Sequence, residues 1–248
     1  MLNTTSGKPI AIIEGGDNHD KIMCIDENSD DGYESVELVS GSKFRPQMDY
    51  KDRKVYLVAG PAGSGKTYYC AMLIKDYMKM FPETELFFVS RTLGKEDPSL
   101  KDIKLNQIRL DQSLLDNPIN IEKEIGKRSI FFFDDCNTIT DDKLKKYVEK
   151  LMADIMEVGR RLNINIIITQ HLICGNEKKL NRTLMNEMNY LTVFGRSGST
   201  QAIKYCLKTY FGLTKKQIDE ILALPSRWVT IKKDYPMAVI SQSKIYFL

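Results

Sequence analysis

Short, largely apolar runs alternate along this chain with longer segments whose apolar residues recur every three to four positions. Residues 55–59, 85–90, 130–133, 165–169 and 190–194 are runs of the first kind. Buried on both faces, such runs read as strands of a parallel sheet. Between them, 67–81, 119–126 and 141–162 carry helical spacing; in the last, Leu144, Val148, Leu151, Ile155 and Val158 fall on one stripe. Strand–helix alternation of this kind predicts an α/β fold: a mostly parallel sheet with helices on both faces.

Two flanking zones break the alternation. In residues 1–50, β-like runs at 9–13, 21–25 and 33–39 are separated by Gly, Asn, Asp and Ser, which predicts a small antiparallel N-terminal extension. Residues 199–248 predict helices at 201–210 and 214–222, parted by Phe211 and Gly212, then strands at 228–232, 237–241 and 244–247. The expected organisation is an N-terminal β extension over 1–50, a core over 51–198, and a C-terminal helical and β-hairpin subdomain over 199–248.

The first strand of the core runs straight into Gly60, Pro61, Ala62, Gly63, Ser64, Gly65, Lys66 and Thr67, a complete G-x-x-x-x-G-K-[ST] phosphate loop. Glycines at 60, 63 and 65 allow turns in which several backbone N–H groups point inward at a phosphate chain. Lys66 supplies a charge for the β- and γ-phosphates, and the Thr67 hydroxyl is suited to Mg²⁺. The following helix, expected from Thr67 to about Phe81 with Tyr68 in its first turn, adds the positive end of its dipole. The chain is therefore expected to bind a nucleoside triphosphate along residues 60–68.

A second signal is the run Ile130, Phe131, Phe132, Phe133, which delivers Asp134 and Asp135 at its end. Ligands of parallel α/β sheets bind at that edge. Asp134 suits the metal and Asp135 suits a base that orients and deprotonates an attacking water; the plainer alternative is a helix-capping pair. The third signal is the strand that ends in Thr169, Gln170 and His171. Gln170 is the candidate sensor of the γ-phosphate and Thr169 its runner-up, whereas His171 reads as a structural or exposed residue. Hydrolysis also calls for a cation on the developing charge. Arg91, Arg160, Arg161, Arg182 and Arg196 are all candidates, including as a finger supplied by a neighbouring subunit. Asp26, Asn28 and Asp30 resemble the start of a calcium loop, but Asp31 stands where its Gly is needed, so an acidic turn is expected.

Composition narrows the setting. The chain has 248 residues, 42% hydrophobic and 28% charged, with a formal net charge of +3. That balance describes an ordinary globular protein with no global pull toward nucleic acid. No apolar run approaches the roughly 20 residues of a membrane span, and the polar start lacks a signal-peptide core. Cys24, Cys70, Cys136, Cys174 and Cys206 form no C-x-x-C pair and are expected as free thiols in a reducing, intracellular compartment. His19 and His171 lie far apart in sequence, which argues against a zinc site.

Taken together, the phosphate loop, the Phe-Phe-Phe-Asp-Asp run and the stretch from Glu157 through Gly159, Arg160 and Arg161 to Thr169-Gln170-His171 resemble the poxvirus-type genome-packaging ATPases of the FtsK/HerA branch of P-loop NTPases. The resemblance covers about residues 50–200, and the stretch Leu224 to Ile231 is similar to short ATPase-like proteins of giant viruses. Many members have His where this chain has Arg161, and most motor ATPases have Asp-Glu where it has Asp134-Asp135. The resemblance implies Mg²⁺-dependent ATP hydrolysis and a homo-oligomeric ring that threads double-stranded DNA. It further implies capsid or portal-like viral partners and, in infection, a place in the host cytoplasm or the virion. Two other functions share the loop: a nucleotide-gated assembly or scaffolding ATPase, and a nucleoside or nucleotide kinase.

Overall fold

The computed structural model describes residues 1–28, 30–171, 173, 178–195 and 199–248, with residues 178–182 described as backbone alone. The chain begins with strands β1 (Leu2–Asn3), β2 (Lys8–Glu14), β3 (Ile22–Ile25), β4 (Ser35–Glu37) and β5 (Lys43–Pro46). Four of them form an antiparallel sheet in the order β1-β3-β2-β5. The acidic turn after β3 is closed by its own side chains: Asp26 accepts from Asn28 N at 3.0 Å and from Ser6 Oγ at 2.6 Å.

The core continues as β6 (Val55–Ala59), α1 (Lys66–Met80), β7 (Leu86–Ser90), β8 (Asn106–Arg109), α2 (Gln112–Asp116), α3 (Ile121–Glu124), β9 (Ile130–Phe133), α4 (Asp142–Leu162), β10 (Asn165–Gln170), α5 (Lys178–Glu187) and β11 (Tyr190–Val193). It ends with α6 (Thr200–Phe211), α7 (Lys215–Ala223), β12 (Val229–Lys232), β13 (Ala238–Ser241) and β14 (Lys244–Phe247). Among the described residues, ten strands make one sheet in the order β4-β14-β13-β12-β11-β6-β10-β9-β7-β8. From β8 to β11 the pairing is parallel; from β11 to β4 it is antiparallel. The three C-terminal strands thus extend the central sheet, and β4, from the first fifty residues, closes its edge.

The apolar strand runs have a simple cause. Phe131, Phe133, Ile166 and Ile168 face a layer built from α4 and the other helices, while Ile130, Phe132 and Ile167 face α1 and the N-terminal sheet. A strand covered on both faces has no polar side to show. Helix α4 is set by its ends: Asp141 Oδ1 caps Leu144 N at 2.7 Å, and Asn163 stops it in a left-handed conformation, φ 54°.

Several elements depart from the sequence reading. The expected helix over 119–126 is the single turn α3, hemmed in by Pro118 and Gly126. Strands β5 and β8 carry too many charged or polar residues to announce themselves; both lie at sheet edges, where Lys43, Asn106 and Arg109 face water and Arg45 is turned to Asp76. Helix α5 lies in a lysine-rich stretch whose apolar positions are few. Among the described residues, no helix is long and apolar enough to cross a membrane. Cys24, Cys70, Cys136 and Cys206 are buried and form no disulfide among the described residues, and Cys174 lies outside them.

A buried ring of three hydroxyls locks α1 to the sheet. Tyr69 Oη lies 2.7 Å from Thr230 Oγ1 and 3.1 Å from Thr192 Oγ1, which are 2.8 Å apart. Burial pushes the Tyr69 phenol well above its ordinary range. Tyr69→Phe leaves the threonines paired with each other and is expected to cost about 1–2 kcal/mol. A urea midpoint lowered at unchanged slope would show it; an unchanged midpoint would refute the role given to the ring.

Candidate active site

Strand β6 runs into Gly60, whose N–H donates to Gln170 O at 3.0 Å. A side chain here has no room: a Cβ would lie 2.8 Å from Ser64 Oγ and 3.0 Å from Phe194 Cβ. Gly65 caps α1 at φ 103°, a region closed to other residues. The first turn of α1 carries no acidic side chain, so its N–H groups and dipole face the loop unopposed. Lys66 is buried, 6% exposed, and its Nζ reaches back to Pro61 O at 3.3 Å and toward Asp135 Oδ1 at 3.8 Å. The Ser64 hydroxyl is buried without a hydrogen-bond partner among the described residues.

The carboxylates are delivered by register. Strand β10 lies between β6 and β9, with Gln170 beside Ala59 and Ile168 beside Phe133. One residue further, Thr169 meets the pair. Its hydroxyl donates to Asp134 Oδ1 at 2.8 Å and accepts from Asp135 N at 2.9 Å. Asp135 adopts a left-handed backbone, φ 48°, unusual for a residue with a side chain. Its Oδ2 lies 3.2 Å from His171 Nε2, so the carboxylate is held between a histidine and Lys66. Burial, and secondarily the charge of Asp135, push the Asp134 carboxyl up to about 6, against the pull of the Thr169 hydrogen bond and Lys66.

The residues singled out from sequence are thereby placed. Gly60 to Thr67 form the loop and the start of α1; Lys66, Asp134, Asp135 and Thr169 converge. Gln170 is buried, and it lines a small cavity with Cys136, Asn137 and Glu149 on the α4 side of the sheet, whereas Thr169 meets the carboxylates. Arg91 lies by the turn after Asp135, its Nη1 3.5 Å from Thr138 O. Arg160 pairs with Glu187 at 3.0 Å, and with Arg161 it lies in the last turn of α4, just before β10 begins, at the sheet edge away from the loop. The side chain of Arg182 and all of Arg196 lie outside the described residues. Two residues gain a place at the site that the sequence did not give them, His171 having read as structural or exposed and Arg227 having carried no site role. His171 holds Asp135, and Arg227, just before β12, lays Nε 3.2 Å from Ser64 O. Only the order of strands puts Arg227 beside the loop, and spacing along the chain carries no trace of it.

The donor set suits Mg²⁺ held partly by the nucleotide. Among the described residues, no three His, Cys, Asp or Glu form a closed metal cage. Mg²⁺ keeps several waters and takes one or two protein oxygens beside phosphate oxygens. The Thr67 hydroxyl and Asp134, a half-buried carboxylate in no ion pair among the described residues, fit that requirement.

Comparison with known proteins agrees with this architecture. The family model described as novel STAND NTPase 3 matches residues 47–194. The chain is 40% identical to the uncharacterized protein V3 of Sputnik virophage over 98% of its own length and 96% of that protein's. The DNA-packaging ATPase B204 of Sulfolobus turreted icosahedral virus superposes with a TM-score of 0.53 at 8% identity, covering 77% of this chain and 98% of its own. The pCW3 conjugation coupling protein TcpA, solved with ATPγS, does so with a TM-score of 0.53 at 17% identity, covering 96% of this chain and 77% of its own. At these identities the two structures establish the shared fold.

Asp134 binds its proton more readily in the folded protein than in the unfolded chain, so its carboxylate costs stability as pH rises from about 4 to 6. Asp134→Asn is therefore expected to raise the melting temperature of the metal- and nucleotide-free protein at pH 8, by an amount worth at most about 3 kcal/mol. The gain should vanish near pH 4. A variant no more stable than the parent at pH 8 would contradict the strained carboxylate.

Proposed function

From the premise that the chain belongs to the novel STAND NTPase 3 family, we propose that it hydrolyses ATP and uses the energy to move double-stranded viral DNA into a capsid. The observation that carries the hydrolytic part is the convergence of Lys66, Asp134, Asp135 and Thr169 at the end of β9 and β10. The packaging part rests on the virophage relative and on a fold shared with a viral DNA-packaging ATPase.

The loop amides and Lys66 bind the phosphate chain, and Lys66 turns from Pro61 O to the β- and γ-phosphates. Thr67 and Asp134 would hold Mg²⁺, which would neutralise charge on those phosphates. Asp135 orients a water in line with the γ-phosphate and takes its proton. His171 and the Thr169 hydroxyl keep the Asp135 carboxylate and backbone in place. Gln170, whose carbonyl is bonded to Gly60 of the loop, reports loss of the γ-phosphate to the strand. A neighbouring subunit of a homo-oligomeric ring supplies an arginine from among Arg91, Arg160, Arg161, Arg182 and Arg196. Capsid or portal-like viral proteins are the partners such a ring docks on, in the host cytoplasm or the virion.

The test is the ATPase rate with and without duplex DNA, with native mass measured in parallel. DNA is expected to raise the rate several-fold in a ring-sized assembly. A ring that hydrolyses ATP indifferently to DNA would favour a nucleotide-gated assembly role, and transfer of phosphate to a nucleoside would favour a kinase. Asp135→Asn should lower kcat by about 10²–10⁴-fold while ATP still binds; an unchanged kcat would remove Asp135 from the base role.

A further inference from the structure

One cavity beside the loop has no part in that chemistry. It has a volume of about 370 Å³, inside the roughly 300–1,000 Å³ of small-molecule sites. It is lined by Gly65 and Tyr68 at the start of α1, by Phe194 and Trp228, and by Glu14 and Arg45 of the N-terminal sheet. Arg227 lines it too, its Nε donating to Ser64 O of the loop.

Position gives this cavity meaning. Lys66 Nζ and Asp135 mark where a terminal phosphate meets its acceptor, on the β9 flank of β6. The cavity opens on the other flank, toward β11 and β12. A triphosphate lying along the loop with its γ-phosphate at Asp135 must carry its nucleoside away from β9, and this cavity is what lies there.

Its chemistry fits such an occupant. Tyr68 is 59% exposed although it follows directly on the buried loop lysine and Thr67, so its ring is free to stack on a base. Arg227 pairs with no carboxylate among the described residues, and its guanidinium would lie 3.2 Å from a Cβ built on Gly65. It is a cation kept at the loop's edge, placed to meet inner phosphates where they would join a ribose. Glu14 and Arg45, joined at 2.8 Å, offer an acceptor and donors toward the ribose hydroxyls, and Arg45 also pairs with Asp76 of α1.

Resting on the nucleotide reading above, we propose that this cavity binds the nucleoside half of the triphosphate, with Tyr68 under the base, Arg227 on the inner phosphates and the N-terminal sheet as its outer wall. The N-terminal sheet is then part of the nucleotide site.

Calorimetry should compare Mg-ATP with Mg-tripolyphosphate, which carries the phosphates alone. The full chain is expected to bind ATP at least tenfold more tightly. Tyr68→Ala should weaken ATP about ten- to a hundredfold and leave tripolyphosphate unchanged, and Tyr68→Phe should restore ATP. Trp228, the sole tryptophan, supplies an internal reporter whose emission should change with ATP in the parent chain. Equal affinity for ATP and tripolyphosphate, or equal loss of both in Tyr68→Ala, would overturn the proposal while sparing the phosphate loop. Failure of the full chain to bind either ligand would overturn the nucleotide reading and this proposal with it.

Discussion

The site depends on one hydroxyl at the end of one strand. Because β10 is inserted between β6 and β9, the phosphate loop and the carboxylate pair stand two strands apart, and Thr169 spans the space next to the pair. It donates to Asp134 and accepts from the backbone of Asp135, so it fixes one carboxylate and the turn that aims the other. The left-handed backbone at Asp135 is tolerable because Thr169, the Thr138 hydroxyl on the Asp135 carbonyl at 2.9 Å, and His171 hold it from three sides. Parallel pairing in strict register makes this reproducible: a slip by one residue would turn Thr169 to the α4 face and present Ile168 or Gln170 to the carboxylates.

The same register explains the cost of readiness. Asp134 is kept among apolar neighbours and beside a second carboxylate, and its carboxyl is pushed up to about 6. Lys66, held by Pro61 O, lies near Asp135 and, under the proposed function, would turn from them to phosphate. Such a site is under electrostatic tension when empty, and a nucleotide with its cation would relieve it.

Much of this was legible in the chain. The loop from Gly60 to Thr67 is defined by a dense local pattern, since glycine, lysine and hydroxyl are each demanded by adjacent backbone geometry. The all-apolar run before Asp134 reveals a strand buried on both faces. Long-range placement leaves no such mark. Arg227 comes from a segment 160 residues beyond the loop and arrives beside it because β12 pairs with β11, which pairs with β6. His171 reads as an isolated histidine until the turn at Asp135 brings a carboxylate to it. The N-terminal strands look like an appendage in sequence, yet β4 pairs with β14, Phe44 N donates to Gln242 O at 2.7 Å, and Arg45 reaches Asp76 on α1. Edge strands such as β5 and β8 stayed hidden because water-facing edges accept charged residues that blur the alternation.

Under the proposed function, Thr169 would organise the carboxylates for turnover and take no part in binding nucleotide. Replacing it by valine, which keeps its shape and removes the hydroxyl, and by serine, which keeps the hydroxyl, separates those roles in a steady-state ATPase assay. Thr169→Val should lower kcat by about a hundredfold or more with KM nearly unchanged, and Thr169→Ser should recover most of the rate. A Thr169→Val protein that turns over within a factor of about two of the parent, or one that loses ATP affinity in place of rate, would contradict the account.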